Sequence, residues 1–395
     1  MKYNILFLTK DLEPGGVESV TVYLANAFCD IGHHVSIVLF NDIKNIMLKE
    51  RLYESVSLHI LSGYNGRKEN ISLLRNILIQ EQTNIVINQY GLPFLPIRLI
   101  NRAKKGLLLK TISVYHSDPI TNARIINLDH KIAKSPPIEK KIWLMFQRSI
   151  YRFVTGRSMR YVYRHSDSYV LLSERFRKNF ISFTKEKKDS KIVVIPNPIT
   201  LDANNYTYNP TNKKNYVLYV GRIESVVKRV DRVVEVWSLL EKHYPDWQLY
   251  IVGDGDGLQA IKTIAKLKQL NNIHFEGFQD PKDYYEKASI LLLTSDFEGF
   301  GLTLVEGMKF GVVPIAYGSY ASVDDIIEDN YNGCIVRPIK GNFSAGAMCK
   351  KLELLMSDSS FRIKLAHNTI NIEKKFDLSK IVKLWEQLFE LMQQD

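Results

Sequence analysis

The sequence predicts an α/β fold of two doubly wound, Rossmann-like domains facing a central cleft. Three observations predict it. Short Val/Ile-rich runs are apolar on both faces, as strands buried in a parallel sheet are. Longer amphipathic stretches alternate with them, which gives βαβ units. The alternation breaks once, at "PNPITLDANNYTYNPTNKKN" (196–215), and then restarts.

Taken in order, "NILFLT" (4–9) is the first strand, followed by a helical pattern over about 18–30. Further strands are predicted at 35–40, 56–61, 84–88, 108–115, 168–172 and 191–196. The Pro-, Asn- and Lys-rich stretch reads as an interdomain linker, placed at 199–215. Beyond it, strands are predicted at 216–221, 247–253, 272–277, 290–295, 312–318 and 333–338. The expected division is an N-terminal domain over 1–198 and a C-terminal domain over 216–377. A final amphipathic helix, 378–395 with Trp385 and Phe389, is expected to pack back on the first domain.

Composition narrows the class. The chain has 395 residues, 45% of them hydrophobic, and a formal charge of +11. No run approaches the ~20 apolar residues of a membrane span. The apolar run near Ile5–Leu8 is shorter than the roughly 7–15 residues of a signal-peptide core, which predicts a buried first strand. Three widely spaced cysteines predict a reducing cytoplasm, with neither a disulfide framework nor a zinc site. No HExxH or similar spacing occurs, so no metal is expected. From Lys131 to Arg164 there are nine Lys/Arg and one acid, interleaved with six aromatic residues. That pattern suits an anionic membrane surface, or a solvated helix face beside a cleft; nucleic acid is the lesser rival.

Ligands of doubly wound domains bind just past the carboxyl ends of strands, and the chemistry-bearing residues lie there. In "SDFEGFGLTLVEGM" (295–308), Gly299 and Gly301 bracket a turn before a helix expected to start near Leu302 or Thr303. The backbone N–H groups of Gly301, Leu302 and Thr303 suit a phosphate. Glu306, one turn on, suits a vicinal diol, and Glu298 at the strand tip suits a second polyol. In "YVGRIESVVKRV" (219–230) the strand-tip Arg222 and the later Lys228 would clamp a diphosphate without a metal. Gly15 and Gly16 open a helix after the first strand, but no GxGxxG or GxxxxGK[ST] is present. This argues against a nicotinamide dehydrogenase. His116 in "SVYHSDP" follows a strand and is expected at a sheet edge facing the cleft, where it would bond a sugar hydroxyl or a phosphate.

Together these pieces resemble the retaining GT-B-fold glycosyltransferases of family 4. Glu298 and Glu306 match the family's E-x7-E signature. The likeness runs along the whole chain and is strongest over 216–338. It includes "IVGDGDG" (251–257), "HFEGF" (274–278), "GGVE" (15–18) and "IPNPI" (195–199). The resemblance implies that Glu298 contacts donor-sugar hydroxyls and Glu306 the ribose diol. It implies that Arg222 and Lys228 bind the diphosphate and stabilise its leaving charge. Gly16 would lie against the diphosphate in a closed state, and backbone near Phe278 would meet the base. Gly299, Phe300, Gly301, Leu302 and Thr303 complete the implied donor site, and His116 the implied catalytic set. The Arg222–Lys228 spacing is one residue longer than is usual in the family, which makes Arg229 the alternative to Lys228.

The expected function is transfer of a hexose or N-acetylhexosamine from a UDP-linked donor. The acceptor is a glycan or polyprenyl-linked glycan of a cell-surface polysaccharide such as lipopolysaccharide or capsule. The expected place is the bacterial cytoplasm, peripheral on the inner face of the plasma membrane. A nucleotide-sugar epimerase and a non-catalytic nucleotide-sugar-binding protein are the alternatives.

Overall fold

The computed structural model describes residues 1–134, 137–201, 206–224 and 226–394. Its contacts divide the chain into two units. One comprises Met1–Ile120, Ser135–Thr200 and Asp377–Asp395; the other comprises Thr121–Lys134 and Leu201–Phe376.

The first unit holds a seven-stranded parallel sheet in the order β3-β2-β1-β4-β5-β6-β7. Its strands are β1 (Asn4–Thr9), β2 (His34–Leu39), β3 (Ser57–Ile60), β4 (Ile85–Asn88), β5 (Lys110–Tyr115), β6 (Ser168–Leu171) and β7 (Ile192–Val194). The core on one side of this sheet joins Leu6, Leu8, Val38 and Phe40 to Leu74 and Leu99. Helix α1 (Gly16–Asp30) follows β1; extended Gly15 is its N-cap, and Glu18 in its first turn suits the positive end of the helix dipole. The C-terminal helix (Leu378–Gln394) buries Ile381, Val382, Trp385, Leu388, Phe389 and Met392, a 3.6-residue stripe. It packs on α1, with the Phe389 and Trp385 rings edge-on to Phe28 at 5.5 and 6.5 Å.

The second unit holds a six-stranded parallel sheet in the order β10-β9-β8-β11-β12-β13. These strands are β8 (Tyr216–Val220), β9 (Gln248–Val252), β10 (Ile273–Gly277), β11 (Ile290–Leu293), β12 (Val313–Tyr317) and β13 (Cys334–Val336). Tyr219, Val233, Trp237, Leu249, Leu292 and Ile315 are fully buried in its core. Truncating such a side chain costs about 3–5 kcal/mol.

Both sheets are doubly wound. The order reverses between β1 and β4 in the first and between β8 and β11 in the second. The loops after these strands carry nearly all the residues singled out above, as the switch-point rule requires.

Three expectations change. Edge strands β3 and β10 are only partly buried, because an end strand lacks a neighbour on one side. Residues 121–134, read as part of 1–198, pack with the second unit: helix α2 (Ala123–Ala133) buries Ile125, Ile126 and Leu128, and its His130 reaches Asp296 at 2.9 Å. Of the predicted linker 199–215, residues 202–205 lie outside the described residues. The part after them is tied to the second unit. Tyr206 packs on Phe310 at 4.8 Å, Tyr208 on His367 at 5.1 Å, and Lys213 Nζ donates to Tyr285 O at 2.7 Å.

Candidate active site

The turn between β11 and helix α3 (Leu302–Lys309) is built by polar ties to the loop after β8. Asp296 N donates to Val227 O at 2.9 Å, and Thr294 Oγ1 donates to Arg229 O at 2.9 Å. Asp296 also accepts from Arg232 Nη1 at 2.5 Å and Arg229 Nη1 at 3.2 Å. These bonds stitch 226–229 to 294–296 and fix the direction in which Lys228 and Glu298 leave the backbone.

Lys228 and Glu298 meet. Lys228 Nζ donates to both carboxylate oxygens of Glu298, at 2.7 and 2.8 Å, and Ser295 Oγ donates to Oε1 at 2.6 Å. Glu298 is 8% exposed, so this is a largely desolvated ion pair. Such a pair holds geometry well and is costly to break on one side only. Arg229 is committed elsewhere: it binds Asp231 at 2.7 Å as well as Asp296, from a left-handed backbone with φ 51°. It is not the free cation that the alternative to Lys228 called for. Ser225, in the same loop, lies outside the described residues. Arg222 stands apart from the pair, exposed and bonded to Glu224 at 2.8 Å.

Helix α3 begins at Leu302, as the spacing predicts. Its N-cap Gly301 has φ +100°, a conformation a side chain rarely adopts. A Cβ there would also sit 3.3 Å from the Tyr320 hydroxyl, which is buried and takes no partner among the described residues. No side chain caps the helix, so the N–H groups of Leu302 and Thr303 open its positive end. Phe300 is buried against Phe376 and offers only its backbone. Glu306 is buried on the second turn, with the Tyr285 hydroxyl 3.5 Å from its Oε2. Burial and the Glu306 charge push the Tyr285 phenol well above its ordinary pKa, so it stays a hydrogen-bond donor. Phe278 is exposed just past β10, after Gly277 at φ +71°. Gly253 is the close-approach glycine of the neighbouring loop: a Cβ there would overlap Gly221 O.

Gly16 and His116 belong to the first unit. Gly16 is the first residue of α1. His116 follows β5, an interior strand between β4 and β6, and therefore does not lie at a lateral sheet edge. Its Nε2 is 2.7 Å from Gln89 Oε1, and its Nδ1 is shut off from solvent without a partner among the described residues. Burial lowers its pKa to about 4.

The sequence reading missed Ser295, Asp296, Tyr285 and Gln89. Only Ser295 carried a local signal, a hydroxyl three residues before the carboxylate it binds.

Comparison with known proteins agrees with this arrangement. Residues 14–203 match the family model described as Glycosyltransferase Family 4, and residues 205–376 the one described as Glycosyl transferases group 1. Together the two matches cover nearly the whole chain, which has the fold of the GT-B glycosyltransferases. It is similar to an N-acetyl-D-galactosaminyltransferase of Campylobacter jejuni acting on an undecaprenol-diphosphate-linked glycan, at 28% identity over 98% of each chain. It is also similar to the lipopolysaccharide 1,6-galactosyltransferase of Salmonella typhimurium, at 24% identity over 58% of this chain and 63% of that one. Among solved structures, the HepE protein of Anabaena in complex with UDP and glucose shares the fold, with TM-score 0.75 and 16% identity over 98% of this chain and 99% of that one. In this chain the β8, β11 and α3 loops thus sit within the group 1 match, and the Gly16 and His116 loops within the family 4 match.

The basic segment 131–164 is divided between the two units. Lys131 and Lys134 lie at the end of α2 in the second unit; residues 135–136 are outside the described set. The remainder lies on a helix, Ile138–His165, whose apolar side reverses along its length. At about 100° per residue, Ile138, Ile142, Phe146, Ile150 and Phe153 share one arc, and all are exposed. Lys140, Lys141, Arg148 and Arg152 lie off that arc, together with exposed Trp143, Met145, Tyr151 and Val154 and buried Leu144. Beyond Gly156 the same arc carries Arg157, Arg160 and Arg164, while Met159, Val162 and Tyr163 are buried on the opposite side. Among the described residues no helix is long and apolar enough to cross a membrane.

Proposed function

We propose that the chain is a retaining, metal-independent transferase that moves a hexose or N-acetylhexosamine from a UDP-sugar to a glycan or lipid-linked glycan in cell-surface polysaccharide synthesis. The observation that carries the reading is the desolvated Lys228–Glu298 pair beside the uncapped start of α3, with Glu306 buried further along the same helix. The names of the similar Campylobacter and Salmonella enzymes, and UDP in the HepE structure, support the acceptor and donor classes.

The chemistry follows from charge. As the bond from C1 to the diphosphate breaks, positive charge develops on the sugar and negative charge on the leaving phosphate. Preorganised donors aimed at the leaving charge stabilise it most. Arg222, Lys228 and the N–H groups of Leu302 and Thr303 take that role. Lys228 then divides its donors between Glu298 and the phosphate, while Ser295 keeps Glu298 oriented toward the sugar hydroxyls. Glu306 receives the ribose diol. The acceptor hydroxyl attacks C1 on the face the diphosphate leaves, and its proton passes to the departing phosphate oxygen, which retains configuration.

Calorimetric titration of UDP and GDP without added metal tests this. UDP is expected to bind the wild type, and Glu306→Ala to weaken it about tenfold or more, the worth of a hydrogen bond to a charged group. Equal binding to both proteins, or to neither, sinks the assignment.

We infer that the exposed apolar residues of 138–154 rest on an anionic bilayer with nearby cations reaching the headgroups, a reading that supports a peripheral position on the inner face of the plasma membrane. Neutralising Lys140, Lys141, Arg148 and Arg152 together is expected to release the protein from vesicles containing anionic lipid. Unchanged sedimentation with vesicles would refute it.

A further inference from the structure

His116 stands at the end of a chain of hydrogen bonds whose direction is set by the Thr21 hydroxyl. Thr21 Oγ1 donates to Val17 O at 2.8 Å, inside α1. A hydroxyl has one proton, so Thr21 can only accept from its other neighbour. That neighbour is Gln89, 2.9 Å away, which therefore presents its Nε2 amide to Thr21. Gln89 Oε1 is left facing His116 Nε2 at 2.7 Å, and an amide oxygen only accepts. His116 Nε2 must then carry the ring proton. The backbone holds both ends: Gln89 N extends the β1 ladder by donating to Leu8 O at 3.0 Å, and Thr21 is fully buried.

A neutral imidazole has a single N–H. With that proton on Nε2, the buried Nδ1 is a lone pair with no partner among the described residues. Val20, Leu24, Val114, Leu172 and Trp385 wall the small cavity beside His116 and Gln89, so the surroundings disfavour a second proton.

We propose that Thr21 and Gln89 are positioning residues that set His116 as the Nε2–H tautomer, so that Nδ1 can only accept a hydrogen bond, as from a sugar hydroxyl admitted to the cavity beside it. His116 on this view never serves as a general acid. The relay also starts in the turn opened by Gly16, so the glycine loop and the histidine are set by one network. The sugar as ligand rests on the function proposed above; the tautomer does not.

The test uses the full chain labelled with 15N-histidine, without ligand, at pH 7.5. Long-range proton–nitrogen correlation reads which nitrogen is protonated, and His116→Asn identifies the signal by its loss. Wild type and Thr21→Ser are expected to show the Nε2–H form. Gln89→Leu and Thr21→Val are expected to lose it in favour of a mixture, while circular dichroism stays that of the wild type. Gln89→Glu places a carboxylate at Nε2 and is expected to make the ring titrate closer to neutral pH. Transfer catalysed by Gln89→Leu is expected to fall roughly fivefold to tenfold in kcat/KM, one neutral hydrogen bond's worth, with Thr21→Ser near wild type. An Nδ1–H form in the wild type, or an unchanged tautomer in both Gln89→Leu and Thr21→Val, overturns the proposal. Because the nitrogen signal needs no substrate, failure of UDP binding would strike the proposed function and leave the relay standing.

Discussion

The two units prepare their strand-tip residues in opposite ways. The second unit manages charge: Lys228 and Glu298 neutralise each other, and Asp296 is held by Arg229, Arg232 and His130. The first unit uses neutral groups, Thr21, Gln89 and His116, and fixes them by the direction of hydrogen bonds. On the function proposed above, the difference follows from what each would meet. A diphosphate needs cations that are available but not loose, and a carboxylate neighbour holds them ready. A sugar hydroxyl needs a lone pair in a known place, and burial keeps a proton off it. The two designs should respond differently to substitution and to pH.

The largest effect is expected from breaking the charged design on one side. Lys228→Ala removes the cation from the nearly buried Glu298 and leaves Ser295 as its remaining side-chain donor among the described residues, a cost of about 3–5 kcal/mol. Urea unfolding of the second unit should show it. Replacing both partners with leucine should recover most of the loss, because no unpaired charge remains. A double variant as unstable as Lys228→Ala would mean that the pair is not the element holding this turn.

The next effect belongs to the neutral design. Burial lowers the pKa values of His116 and His33 to about 4, from an ordinary 6.5. Below pH 6.5 the unfolded chain takes up protons that the folded chain refuses, so stability is full at neutral pH and declines as pH falls toward 4. For His116, a shift of this size is worth ~3 kcal/mol. The His116→Gln variant should lose less stability between pH 7 and 4.5 than the wild type does, in midpoints of chemical unfolding. An acid limb of unchanged slope would contradict the burial that the relay depends on.

The contrast also explains what could be read from the chain before folding. The thirteen strands among the described residues fall within the predicted runs or a residue beyond them, because strands of a parallel sheet are covered on both faces and so are apolar throughout. Glu298 and Glu306 were legible because a glycine-bracketed turn before a helix is a local pattern. The relay was not. Gln89 and Thr21 lie 68 positions apart, and nothing local marks a glutamine that will orient a histidine 27 positions on. The allegiance of α2 was hidden for the same reason, since His130 and Asp296 are 166 positions apart. The reversal in 138–165 was present in the spacing, but a count of charges over the whole segment averages two opposed faces into one.

The smallest effect on stability is expected at Arg222, and it separates holding a fold from holding a ligand. Its side chain is 66% exposed and its bond to Glu224 is a surface pair. Solvent screens such a pair, and ordering two flexible side chains offsets most of the attraction. Arg222→Ala should therefore shift unfolding by no more than about 0.5 kcal/mol. Nucleotide affinity should respond quite differently. An exposed guanidinium gives up little to turn from Glu224 to a diphosphate, and the bidentate bonds it then forms are among the strong ones. A UDP affinity at least about tenfold weaker in Arg222→Ala, at unchanged stability, would show a cation kept free for its ligand. Loss of stability together with affinity would instead make Arg222 a second structural cation like Arg229, and would leave Lys228 and the start of α3 to carry the diphosphate between them.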